Sequence, residues 1–284
     1  MKNGLVTLVA IFALQTISSG QYYYYNNKYF DKDFIWEVGG SSGAMFGLTD
    51  VGKKKYKASG RLDYKSTKPN TSFYIGGLYQ NLIGGRLEIT VGSIAGSDST
   101  GSLQRRSQNL HYQSPIVELA LVSELHPLIL TNFDKLPSLS PYLMLGLGWL
   151  SFNPQARHEE KWVDLQPLNT SGQGFEEFPD RKPYNLSTVC VPFGVGLKYD
   201  LSAFFTARFE LVERYTFTDY LDDASAPSID PSLFYKYFPA EKAALAEALS
   251  TRNIGIIRGG TQTKDKYLTL NFKLALMLGR ERIR

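Results

Sequence analysis

The chain has 284 residues, 43% of them hydrophobic and 20% charged, which is enough apolar material for a folded core and excludes wholesale disorder. Lys plus Arg number 31 against 27 Asp plus Glu, a balance too even to suggest a nucleic-acid partner. The only cysteine, Cys190, excludes an internal disulfide and reads as a small residue in a strand.

Residues 1–20 have the outline of a secretory signal peptide. Lys2 supplies the positive start, LVTLVAIFAL is a short apolar run, and Ser18-Ser19-Gly20 offers small residues for cleavage before Gln21. The expected mature domain is therefore 21–284, an exported chain. No later run reaches the length of a transmembrane helix.

Eight segments then read as strands. DFIWEVGG (33–40) and TSFYIGGLYQ (71–80) are the weaker two. In GRLEITVGS (85–93), Leu87, Ile89 and Val91 alternate with Arg86, Glu88 and Thr90. In PIVELALVSEL (115–125), Val117, Leu119, Leu121 and Leu125 alternate with Glu118, Ala120, Val122 and Glu124. SPYLMLGLGWLSF (140–152), LSTVCVPFGVGLKYD (186–200) and FFTARFELVERY (204–215) repeat the pattern. The clearest case is KYLTLNFKLALMLG (266–279), where Leu268, Leu270, Phe272, Leu274, Leu276 and Leu278 share one face and Thr269, Asn271, Lys273, Ala275 and Met277 the other. Period two over this length is a strand about twice as long as usual.

The connections alternate between short and long. Short pieces lie near 81–84 and 199–202, a moderate one follows strand four, and the long ones are roughly 46–70, 94–114, 153–185 and 216–265. Long strands, an unbroken apolar face and alternating loops together predict a closed antiparallel β-barrel of about eight strands crossing an outer membrane, with short turns and both termini on the periplasmic side. A soluble sandwich with the apolar face turned inward is the competing architecture. In the last long loop PAEKAALAEALS (239–250) predicts a helix, either packed on the loop crown or lying on the membrane. Tyr142, Trp149, Phe152, Tyr199, Tyr215 and Tyr267, near strand ends, are expected as aromatic girdles.

A barrel register turns Lys273 inward, because Lys facing mid-membrane lipid costs about 2–4 kcal/mol. The same parity gathers Arg86, Lys198, Arg208 and Lys273 with Glu37, Glu88, Glu118, Glu124 and Glu210 in the lumen. Buried charges must pair, so the expectation is an ion-pair plug, with a proton or ion path as the alternative.

Motifs for chemistry are sparse. His111, His126 and His158 have no neighbours at metal-ligand spacing, no nucleophile motif such as G-x-S-x-G occurs, and neither cofactor nor small-molecule substrate is indicated. The acids of TDYLDDASAPSID (218–230) lack EF-hand spacing and read as solvated or helix-capping rather than Ca²⁺-binding. The basic run KKKYK (53–57) reads as a solvated loop or a contact for lipopolysaccharide phosphate.

Four segments carry a resemblance: QYYYYNNKYFDKDFIWEVGGSSGAM, SPYLMLGLGWLSFNPQA, LQPLNTSGQGFEEFPDRKPYNLS and TDYLDDASAPSIDPSLFYKYFP. Through them the chain resembles the PorG-like outer-membrane β-barrel proteins of type IX secretion. The resemblance implies a non-enzymatic component that contacts a periplasmic ring of PorK- and PorN-like proteins, with outer-membrane lipid around it. It carries no catalytic residues. Topology would put the ring contact on the short-turn side, with His126, Asp134, Lys135, Arg280, Arg282 and Arg284 as candidates. The chain ends RERIR, without the terminal aromatic that many outer-membrane barrels carry. Competing expectations are a pore, a surface adhesin, or a rim enzyme using His158 with Asp180 and a loop serine.

Overall fold

In the computed structural model the described residues are 29–49, 66–97, 111–131, 139–224, 226–227, 229–250 and 264–282. The signal segment 1–20, the KKKYK run, Asp134, Lys135 and Arg284 lie outside them. Ten strands are described: β1 (Tyr29–Leu48), β2 (Lys68–Tyr79), β3 (Ile83–Ser97), β4 (His111–Leu125), β5 (Leu139–Phe152), β6 (Gln155–His158), β7 (Lys161–Asp164), β8 (Ser187–Asp200), β9 (Phe205–Thr216) and β10 (Lys266–Arg282). Two helices, α1 (Ser232–Tyr237) and α2 (Ala240–Leu249), stand between β9 and β10.

Eight of the strands form a closed antiparallel barrel. Neighbours in sequence pair in turn, β5 pairs β8, and β1 pairs β10 to shut the wall. Among the described residues the eight-stranded wall has no open edge, the condition a hydrocarbon solvent imposes. The seam between β1 and β10 is continuous from Trp36↔Leu278 to Leu48↔Lys266. Below that it slips by a bulge, where Gly279 takes φ +115° against the Phe34 carbonyl. A residue with a Cβ would be strained there.

The alternation decides what faces where. Leu143, Leu145, Leu147 and Trp149 of β5 are 52–65% exposed, while Tyr142, Met144 and Leu150 between them are buried. The same holds on every barrel strand, from Trp36 and Val38 on β1 to Phe272, Leu274, Leu276 and Leu278 on β10. Leucines so exposed on all sides have no protein partner; they form a continuous apolar belt, the outer face that a barrel in a bilayer requires. Glu213 and Lys266 face outward together and pair at 2.9 Å near the upper end of β9 and β10, where the belt ends. Among the described helices none is long and apolar enough to cross a membrane, so the strands make the crossing.

Short turns and long loops segregate as the spacing predicts. Residues 80–82 join β2 to β3, with Gln80 and Asn81 both at positive φ, the backbone a tight hairpin demands. Residues 201–204 join β8 to β9, held by the Ser202 hydroxyl, which accepts hydrogen bonds from the Phe204 and Phe205 amides. At the opposite end, 153–186 and the described residues of 217–250 fold together into a cap. It holds the β6–β7 hairpin, which continues the wall through Gln113↔Gln155, and both helices. Its apolar core is Ala156, Leu165, Leu168, Phe175, Ile229, Phe234, Ala243, Ala246 and Leu249.

Three expectations need correction. The first strand is 20 residues long rather than eight, because its inward face of Gly39, Ser41 and Gly43 is too small and polar to register as alternation. The 153–185 connection contains a hairpin, and α1 precedes the expected helix; α2 itself packs on the crown. Of the expected girdle, Tyr142, Phe152 and Tyr267 are 0–2% exposed and point into the lumen, since each shares parity with inward residues. Trp149 and Tyr215 do face outward.

Candidate functional site

The described lumen is filled by two ionic groups and an apolar layer above them. In the short-turn half lies a set of charges drawn from six strands. Glu37 comes from β1, Arg86 and Glu88 from β3, Glu124 from β4, Lys198 from β8, Arg208 and Glu210 from β9, and Lys273 from β10. All are at most 5% exposed. Arg86 is the hub: its Nε donates to Glu88 at 2.8 Å and its terminal nitrogens to Glu210 at 2.8 and 2.9 Å, and it also bonds Glu124. Arg208 donates to Glu124 at 2.7 Å and to Glu37. Lys273 reaches Glu210 at 3.2 Å and bonds Glu88. Lys198 lies 3.5 Å from Glu37 and 3.7 Å from Asp200.

Two tyrosines form the walls of this cluster, each laid flat over a glycine on the next strand. Tyr74 covers Gly39, its cross-strand partner, and Tyr142 covers Gly196 in the same way; a Cβ at either glycine would sit within 2.7 Å of the ring. The rings then present faces to cations: Arg86 and Lys273 lie over Tyr74 at 5.4 and 5.0 Å, and Arg208 over Tyr142 at 5.2 Å. Tyr142 also donates to Glu210, and Ser72 to Glu88 at 2.7 Å.

A second, smaller ionic group sits higher. Glu118 accepts from Arg214 at 3.0 Å and from the Tyr267 hydroxyl, and Arg214 also bonds Thr269. Arg214 was missed in reading the sequence, although it shares the parity of Arg208 and Glu210. With it the fully buried lumen charges among the described residues are five acids (Glu37, Glu88, Glu118, Glu124, Glu210) and five bases (Arg86, Lys198, Arg208, Arg214, Lys273), with the partly buried Asp200 beside Lys198 at the end of β8. Above this, Met45, Ile94, Tyr112, Ile116, Leu150, Phe152, Cys190 and Leu221 close the lumen with an apolar layer on which the cap sits.

The cap is tied to itself by polar contacts. Asp223, at φ +60°, accepts from Thr170 and, at 2.8 Å, from the Tyr184 hydroxyl, joining the two long loops. Arg181 donates to the carbonyls of Ser171 at 2.7 Å and Pro227 at 3.1 Å. Glu177 bonds Lys236 at 2.7 Å and Tyr237 at 2.8 Å, contacts that hold its carboxyl down at about 2 and raise the Lys236 ammonium above its usual range. Asp222 and Asp223 are thus buried structural acids rather than solvated ones. Asp230 accepts from the Ser232 amide at the start of α1. Among the described residues no group of three or more His, Cys, Asp or Glu is placed to hold a metal.

The expected contact residues scatter. His126 is 1% exposed, stacked on Tyr142 and within 3.3 Å of Glu124 and 3.1 Å of Ser140, so it belongs to the plug and presents nothing to a partner. It stands right after β4, and the inward parity of Val122 and Glu124, carried one step further, would have placed it in the lumen. Arg280 and Arg282 lie on the backbone of β10 at the short-turn end, past the bulge. His158 ends β6 opposite Lys161, and Asp180 lies exposed in the cap. His111, at the upper end of β4, faces outward.

Solved structures similar to this chain are bacterial outer-membrane proteins. Ail, the attachment invasion locus protein of Yersinia pestis, is 9% identical over 87% of this chain and 100% of its own, with a TM-score of 0.39. A major outer membrane protein from Thermus thermophilus is 14% identical over 86% of this chain and 99% of its own, at 0.41. OprG from Pseudomonas aeruginosa is 9% identical over 87% and 97%, at 0.36. No family model and no curated protein sequence matches the chain. The wall geometry stands on its own: this is an eight-stranded antiparallel barrel of the outer-membrane type, apolar outside, charged inside and capped at one end.

Proposed function

We propose that the protein is a non-enzymatic, sealed barrel of the outer membrane that serves as a structural anchor in type IX protein secretion, contacting the machinery's periplasmic ring. The observation that carries the anchoring part is the lumen. A barrel packed with ten paired charges and closed above by an apolar layer is built to be a stiff post rather than a conduit. The secretion role rests on the four segments that resemble PorG-like proteins. The contact would use the short-turn end, with Arg280 and Arg282 on β10, Arg284 beyond it in sequence, and Asp134 and Lys135 between β4 and β5 in sequence, as candidates for meeting PorK- and PorN-like partners.

The test is deletion in the native host, with secretion of cargo and co-purification of the periplasmic ring as readouts. Loss of both is expected. Intact secretion in the deletion strain overturns the assignment. The folded cap favours a second reading, in which the loop crown presents a surface outside the cell, as an adhesin does. Normal secretion together with impaired attachment of cells to a surface would select that reading.

A further inference from the structure

The outward face of β9 and β10 changes character at its last rung. Below that rung Leu211 and Leu270, Phe209 and Phe272, Ala207 and Leu274, and Phe205 and Leu276 stand opposite one another, so the two strands present an unbroken apolar track. Tyr215 and Lys266 form the uppermost paired rung. The Lys266 ammonium lies 5.4 Å over the Tyr215 ring and pairs with Glu213 at 2.9 Å. Phe217, exposed, meets Tyr215 edge to face at 5.6 Å. Lys264, exposed two residues above Lys266, makes no ion pair among the described residues.

Two lysines against one glutamate leave this end of the track with a positive charge, and a Lys ammonium has three donors, of which Glu213 takes one. The aromatic pair suits the boundary between hydrocarbon and headgroups, where Tyr presents an apolar body and a polar tip. The long-loop end of a barrel of this type faces the outer leaflet. A lipid lying on the wall here meets carbon along its acyl chains and surplus positive charge at its headgroup, a complement for phosphate rather than for a zwitterion. We propose that Lys264, Lys266, Tyr215 and Phe217 form a binding site for the phosphorylated headgroup of an outer-leaflet lipid of the lipid A type, with the β9–β10 track holding its acyl chains. Glu213 fixes the Lys266 side chain against the wall. The site continues the lipid-facing surface and does not depend on the secretion role.

Native mass spectrometry of the detergent-purified full chain tests it, with bisphosphorylated lipid A and phosphatidylcholine offered in turn. Retention of lipid A over phosphatidylcholine is expected, falling about 5-fold for each of Lys264→Gln and Lys266→Gln. Lys161→Gln, an exposed lysine in the cap hairpin, should leave retention unchanged. Equal retention of the two lipids overturns the proposal, as does full retention of lipid A by the double lysine variant. An equal loss on Lys161→Gln overturns it too, since that marks attraction by overall charge. Release of bound lipid A by inorganic phosphate alone would show a site for the free anion and overturn the lipid as occupant. Should Lys266→Gln fail to fold, Lys264→Gln, which breaks no ion pair among the described residues, carries the same reading.

Discussion

The barrel and its cap are built with opposite polarity from one chain. In the barrel, leucines 52–65% exposed line the outside of β5 and arginines at most 4% exposed fill the centre. In the cap, Phe234, Ala243 and Ala246 are fully buried, and Glu176, Glu241 and Glu247 are outside. Each region puts its cheapest surface toward its own solvent. Lipid offers no hydrogen bonds, so the wall turns polar groups inward, where they must pair. Water offers them freely, so the cap buries carbon. The apolar layer around Leu221, Tyr112 and Phe152 is where one rule gives way to the other.

That contrast makes distinct forecasts. In the barrel the most damaging single change should be Arg86→Ala, which leaves Glu88, Glu124 and Glu210 short of their shared partner. A loss of about 3–5 kcal/mol is expected, because the remaining charges stay buried and uncompensated. Urea unfolding in detergent checks it, and planar-bilayer recordings should turn from silent to leaky. An unchanged midpoint would mean that the charges are solvated and the plug is no plug.

In the cap, Phe234→Ala should cost about 3–5 kcal/mol of local stability, as large aromatic deletions in a dry core do. The signature is spatial. Protease cleavage within 170–182 and 229–238 should accelerate while the heat-sensitive gel mobility of the barrel stays put. Joint loss of both would show that wall and cap fold as one unit.

Leu147→Arg probes the outer face, where Leu147 is 65% exposed. About 2–4 kcal/mol is expected if that face meets mid-membrane lipid. On a water-facing surface the same change falls within about 0.5 kcal/mol, so the measurement separates a membrane barrel from a soluble one.

The gentlest forecast concerns acid. The Glu177 carboxyl titrates at about 2 in the folded cap against its ordinary 4.5. A depressed carboxylate contributes stability that is present above 4.5 and disappears as pH falls toward 2. Lowering pH from 5 to 2 should therefore loosen α1 from the 170–182 loop, read as faster cleavage there. Glu177→Gln should show the loosened behaviour already at pH 5 and respond less to acid.

Much of the wall was legible beforehand. Parity in β3, β4, β9 and β10 placed Arg86, Glu88, Glu118, Glu124, Arg208, Glu210 and Lys273 inward because one residue of slip would have turned Lys273 to lipid. The same parity extended by two residues would have supplied Arg214 and moved Tyr142 and Tyr267 out of the girdle, and by four would have moved Phe152. β1 was illegible past residue 40, since glycine and serine leave no contrast between faces. The cap was illegible for a different reason: its core joins Leu165 to Phe234 and Phe175 to Tyr237 across more than sixty residues of sequence, with no repeating spacing to betray them.

Local alternation and loop length, then, were enough to specify a closed wall and to say which way most of its charged side chains turn, because a strand has only two faces and lipid tolerates one of them. Which acid meets which base, the tyrosines laid over Gly39 and Gly196, and the fusion of two long loops into one lid were settled only when the barrel closed. Those contacts join residues distant in the chain, and their geometry depends on strand register and on how the remaining space is filled.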